Sequence, residues 1–388
     1  MDAFNENSNE QQAQQPMGCL NRFSKTIKVV IIGLLILLLM IPMFMIENLI
    51  SERGQTQEEA INEVSQKWSL AQTITGPYLN LQYPVVTENN GEKTVSIKDL
   101  ILFPDELTVN GQLKTEILKR SIYEVNVYQS ELTLKGSFSS EELKKSRIDM
   151  EQLQFDRVAI CLNLTDMRGI SEQISITLGD SVYIFEPGMD NRGINNTGVH
   201  AIANLSELKQ NKELPYEIKI KLKGSQSLNF IPLGKTTRVD LKANWNTPSF
   251  TGNYLPNNRN ITEKEFSAQW QVLNLNRNYS QVMIDYTNSN IKNIDNSSFG
   301  VNFKIPVEQY QQSMRSAKYA ILIILLTFGV IFFTEIMNKT RIHALQYLLV
   351  GLALCLFYSL LLSFSEHIGF NPAYLLSSAL TIILVGGY

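Results

Sequence analysis

Residues 27–46, IKVVIIGLLILLLMIPMFMI, decide the architecture. Their one charge, Lys28, lies at the edge of the run. At about 1.5 Å per residue a helix of this length reaches roughly 30 Å, the thickness of bilayer hydrocarbon. A cleaved signal peptide would have a shorter apolar stretch followed by a small-residue cleavage site. Here ENLISERG follows at 47–54, so the run reads as an uncleaved anchor. Pro42 inside it is tolerable in a membrane helix.

Three more apolar runs lie at the far end of the chain. They are YAILIILLTFGVIFFTEIM at 319–337, HALQYLLVGLALCLFYSLLLSF at 343–364, and residues 372–388. The expected layout is a tail at 1–26, disordered at its Gln- and Asn-rich 1–16, and membrane helices at 27–46, 318–337, 343–364 and 372–388. Residues 47–317 form a large domain between the first two helices. The positive-inside rule orients this plan. Arg22, Lys25 and Lys28 precede or open the first run, and Lys339 and Arg341 lie between the second and third. The link SEHIGFN at 365–371 has Glu366 and no Lys or Arg. The N-terminus is therefore expected in the cytoplasm and residues 47–317 outside it. The chain stops at Tyr388 inside an apolar run, so it reads as truncated, with further helices expected. The reading allows Met17 as the true start.

Averaged over 388 residues the chain looks soluble, with 44% hydrophobic and 18% charged residues and a mean hydropathy of −0.06. The average hides the segregation of apolar residues into runs. Twenty-one Gly, 12 Pro and 3 Cys exclude collagen, and a disulfide scaffold with it. A net charge of −3 argues against a nucleic-acid partner. Cys161 is the single cysteine of 47–317, so that segment has no internal disulfide.

Residues 47–317 carry 28 basic and 32 acidic residues with no charged block. They are enough for a sizeable core, as one domain or two. Ile50, Ala60, Ile61, Val64 and Trp68 recur at helical spacing, and Gly76-Pro77 is the expected stop. The period then becomes two. Val158, Ile160, Leu162 and Leu164 alternate with Ala159, Cys161 and Asn163; Val239, Leu241, Ala243 and Trp245 alternate with Asp240, Lys242 and Asn244. Segments from Leu132, Tyr216 and Phe266 do the same. Each predicts a strand with one buried and one wet face. Turn clusters such as ENNGEK at 88–93 and MDNRG at 189–193 separate them. The expected domain is mainly antiparallel and β-sandwich-like.

Chemistry-bearing patterns are sparse. The sequence contains no HExxH, GxSxG, P-loop or GxGxxG, and its three His are His200, His343 and His367. Ser206-Glu207-Leu208-Lys209 matches S-x-x-K, but its companion K-T-G is absent. No catalytic residue, metal ligand or cofactor site is expected. Glu335 reads as an interfacial residue near Lys339 or Arg341, short of the membrane midplane where transport pathways keep charges. Asp166, Arg168 and Gly169, in DMRGI, form the candidate interaction surface. They follow the strand pattern of 158–164, with Gly169 expected to make a tight turn at positive φ. The rival reading is a turn held by Asp166 and an Arg–acid pair.

Taken together, several stretches resemble the CreD family of inner-membrane proteins: KYAILIILLTFGVIFFTE at 318–335, QYLLVGLALCLFYSLLLSFSEHIGF at 346–370, ISER at 50–53, DMRGI at 166–170, FEPG at 185–188, WNTPSFTGNYLP at 245–256 and FSAQW at 266–270. The resemblance implies a bacterial inner membrane, with residues 47–317 in the periplasm, and a role in cell-envelope integrity and envelope-stress response, linked to a two-component regulatory system. It carries over no catalytic residue. The expectation is a non-enzymatic membrane protein whose periplasmic domain binds a protein partner or cell-wall component. The alternatives are a channel or transporter with an accessory domain, and an envelope enzyme with an unrecognised site.

Overall fold

A computed structural model describes residues 17–89, 92–146, 148–189, 193–210, 212–284, 288–303 and 309–387. The disorder expected at 1–16, and part of each turn cluster at 88–93 and 189–193, lie outside the described residues. The chain divides into two units, Gln57–Pro306 and Met1–Thr56 with Val307–Tyr388.

Two mixed sheets build the first unit. One runs, in spatial order, β13 (Ser249–Gly252), β17 (Phe299–Asn302), β11 (Ser227–Phe230), β1 (Gln72–Asn89), β5 (Val158–Leu164), β9 (Gly198–Ala203) and β8 (Glu186–Pro187). There β2 (Glu92–Leu102) pairs with β1, and β16 (Val282–Ile284) with β2. The other runs β14 (Asn258–Ile261), β15 (Phe266–Leu273), β12 (Thr236–Ala243), β3 (Glu106–Arg120), β4 (Tyr123–Phe138), β10 (Leu214–Ser225), β6 (Ser175–Leu178) and β7 (Ser181–Ile184). Only β1 with β11 and β3 with β12 pair in parallel among the described strands. One core draws Leu79, Ile160 and Leu162 from the first sheet and Val109, Leu132, Ile218 and Leu241 from the second. The sheets therefore pack face to face.

Alternation explains most strands. In β12, Thr237, Val239, Leu241 and Ala243 are buried while Arg238 and Lys242 are exposed. β5 departs from the expected wet face, because all seven of its residues are buried. Its inner side joins the main core. Its outer side, Ala159 and Cys161, lies under a second apolar cluster with Tyr78, Ile101, Phe103, Ile194 and Ile294. Loop and helix residues distant in sequence cover that face.

The expected helix stop is also displaced. Helix α1 is Met17–Trp68, and Gly76-Pro77 lies inside β1, at a register break opposite β5. The chain turns instead where the Leu70 amide donates to Asp166 at 2.9 Å.

Short helices α2 (Glu141–Lys145), α3 (Ser206–Lys209) and α4 (Asn288–Asn296) lie in the β unit. The second unit contains α5 (Gln309–Lys318), α6 (Ala320–Asn338), α7 (Ala344–Ile368), α8 (Phe370–Gly386) and the first part of α1. The helices of Thr26–Trp68, Ala320–Asn338 and Ala344–Ile368 are long and apolar enough to cross a membrane; α8, at 17 residues, is shorter. Helix α7 continues through Ile368, leaving Gly369 between it and α8. A Cβ on Gly351 would collide with Leu39 of α1 and Phe328 of α6, so a residue without a side chain lets these helices meet. Among the described residues the architecture is thus three helices able to span a membrane plus a large, mainly antiparallel β domain.

Candidate functional site

The three DMRGI residues come together as a clasp. Asp166 precedes the 3-10 turn Met167–Gly169 and accepts the Arg168 amide at 3.1 Å. Arg168 Nε and Nη2 donate to the two carboxylate oxygens, each at 2.9 Å, and Nη1 donates to the Gln66 carbonyl at 2.6 Å. The same carboxylate accepts from Leu70 N and, at 3.3 Å, from Ser69 Oγ. Gln72 bonds the Asp166 backbone in both directions. Burial pushes the Asp166 carboxyl up, but the Arg168 guanidinium and the Leu70 and Arg168 amides outweigh it, and its pKa falls below the ordinary aspartate value. Gly169 does not have the positive φ expected of it. Its role is close approach: a Cβ there would collide with the Lys223 carbonyl and the side chains of Gln72 and Ser69. These polar atoms are engaged with one another and with the backbone of Gln66, Leu70 and Arg168, as a structural turn requires.

His200, Ser206 and Lys209 have separate partners. His200 Nδ1 lies 2.7 Å from the Gly188 carbonyl, Ser206 Oγ donates to Asn204 at 2.6 Å, and Lys209 Nζ pairs with Glu151 at 2.6 Å. None of these bonds joins a nucleophile to a base, the pairing that nucleophilic catalysis needs. Among the described residues, no group of three or more His, Cys, Asp or Glu is placed to hold a metal ion.

A polar cleft of about 260 Å³ lies on the outer face of the first sheet. Register creates it. Thr75 of β1 sits opposite Asn163 of β5, and the Thr73 amide donates to Thr165 Oγ1 at 3.0 Å. Asn163 is fully engaged: it accepts from Tyr78 Oη at 2.6 Å and donates to the carbonyls of Asn195 and Thr197 at 2.8 and 2.7 Å. It therefore shapes the cleft rather than contacting a ligand. Thr75, Thr165, Thr197, Ser298 and Asp295 complete the polar lining. Among the described residues Asp295 is its one carboxylate, held at 3.3 Å by Asn195 Nδ2. Such a surface can hold a neutral, hydroxyl- or amide-rich group by multiple hydrogen bonds. Sequence reasoning missed it because its residues come from five separated segments; alternating Thr and Asn was the available signal.

The helical unit holds a second polar cluster. Glu335 is 8% exposed and pairs with Lys28, not with the expected Lys339 or Arg341. Its other oxygen accepts from Tyr347 Oη at 3.1 Å. Lys28 also donates to the Ile342 carbonyl at 2.7 Å. The apolar start of α1 meets the end of α6 here, so the nearest cation in space lies 307 positions away in sequence. Glu366 of α7 accepts from Tyr310 of α5 at 3.0 Å.

Comparison with known proteins agrees with this layout. The family model described as inner membrane protein CreD matches residues 24–388. Inner membrane protein CreD of Escherichia coli (strain K12) is 32% identical over 360 residues, covering 91% of this chain and 78% of that protein. The chain belongs to the CreD family of inner membrane proteins.

Proposed function

We propose that this protein works by contact rather than by chemistry, as a component of cell-envelope integrity and envelope-stress response. In this reading the β domain lies in the periplasm and its polar cleft receives a protein partner or cell-wall component. The observation that carries the reading is the cleft itself. Its hydroxyls and the Asp295 carboxylate offer several hydrogen bonds to one polar group, each contributing about 0.5–1.5 kcal/mol. The basic flanks at Arg22–Lys28 and Lys339–Arg341 support a cytoplasmic N-terminus and a periplasmic domain.

A photo-reactive residue at the exposed Thr197 position tests the reading in living cells. The expected result is a discrete crosslinked species that is lost when Thr75→Val and Thr165→Val are combined. Crosslinking that is absent, or indifferent to those substitutions, contradicts it. The competing reading, a channel or transporter, draws on the Lys28–Glu335–Tyr347 cluster, because ionisable groups between membrane helices commonly mark a pathway. Ion or proton flux through reconstituted protein that disappears with Glu335→Gln would favour it.

A further inference from the structure

A cavity of about 300 Å³ opens beside Lys28, between α1 and the start of α7. It is amphipathic along its length. Ile27, Ile31 and Leu35, one helical face of α1, line one wall. From Lys28 to Leu35 that wall runs on the order of 10 Å along the helix. The polar end is built by Lys28 and His343.

Both polar groups have a donor left over. Lys28 Nζ donates to Glu335 and to the Ile342 carbonyl, and an ammonium has three protons. His343 Nδ1 accepts the Leu345 amide at 3.2 Å, which places the ring proton on Nε2 and makes that atom a donor. The side chain of His343 is exposed. Charge at this end is positive. Glu335 cancels Lys28, while the link carrying Ile342 and His343 also carries the exposed Lys339 and Arg341 and no acid. A cationic polar end above an apolar slot, on a helix apolar enough to cross a membrane, matches an anionic amphiphile lying parallel to the helix.

We propose that this cavity is a binding site for an anionic phospholipid. Its acyl chain lies along Ile31 and Leu35, and its phosphate accepts hydrogen bonds from Lys28 Nζ and His343 Nε2, with Lys339 and Arg341 adding attraction. The site is independent of the β-domain cleft.

Native mass spectrometry of the full chain, titrated with phosphatidylglycerol and separately with phosphatidylcholine, tests it. Two variants separate binding from folding. His343→Asp keeps an acceptor for the Leu345 amide at the helix start and puts a negative charge where the phosphate would sit. Leu35→Trp fills the slot without changing charge. The wild type should retain one phosphatidylglycerol in preference to phosphatidylcholine. Each variant should lower that occupancy about tenfold or more while melting cooperatively. Equal retention of the two lipids by the wild type means annular lipid only and overturns the proposal. Unchanged phosphatidylglycerol retention in folded His343→Asp overturns it as well, and that variant alone decides if Leu35→Trp does not fold.

Discussion

Asp166 and Arg168 meet in a two-point pair across one intervening residue, Nε to Oδ1 and Nη2 to Oδ2, both at 2.9 Å. Because the same carboxylate accepts the Leu70 amide, the turn after β5 and the segment after α1 share one anchor. Asp166→Ala removes it and leaves several donors without an acceptor, a loss of about 1–3 kcal/mol. Arg168→Lys keeps the charge but not the planar fork, so it should cost less. Denaturant titrations of both variants give the order; equal midpoints for Asp166→Ala and wild type would show that the clasp contributes nothing.

The depressed pKa of Asp166 fixes the sign of a pH effect. A carboxyl that is more acidic in the folded state stabilises fully above its unfolded pKa of about 3.9. That contribution is lost as pH falls through the lower, folded value. Melting temperature should therefore drop on acidification below about pH 4. The acid limb should be shallower in Asp166→Asn, and identical slopes would remove Asp166 from the account.

Glu335 should tolerate loss of its partner badly. Lys28→Met leaves a carboxylate in a membrane helix with neutral donors alone, the Tyr347 hydroxyl and the Ile342 amide. The double variant Lys28→Met, Glu335→Gln removes both charges together. Thermal unfolding should place the double variant above Lys28→Met. The opposite order contradicts the pairing.

Cys161 is fully buried under the second apolar cluster. Maleimide should leave it unmodified in the folded protein and label it in denaturant, as peptide mass mapping can read. Rapid native labelling would mean that the outer face of β5 is open.

That face shows where legibility in the sequence ends. The membrane helices were readable because hydropathy is local: residues 27–46 and 319–337 declare themselves without reference to anything else. Strands such as Thr236–Ala243 were readable because one face meets the core and the other meets water. Val158–Leu164 has the same alternation, yet Ile194 and Ile294 arrive from elsewhere to cover its second face. The cleft needs the Thr75–Asn163 register, and Glu335 needs Lys28. Long-range pairings of this kind leave no local period. DMRGI was legible as a strand end followed by a turn held by Asp166 and an Arg–acid pair, but not the Leu70 and Gln66 bonds that tie this turn to the segment after α1.

The central claim is contact through the cleft without catalysis, and complementation of a strain lacking the protein tests it directly. Two full-length variants are compared for resistance to envelope stress, after membrane insertion and folding are verified. One combines Thr75→Val, Thr165→Val and Asp295→Asn; the other combines His200→Ala, Ser206→Ala and Lys209→Ala. The account predicts that the cleft variant fails to restore resistance while the triple-alanine variant restores it. Full resistance from the cleft variant, with collapse in the triple-alanine variant, would contradict it.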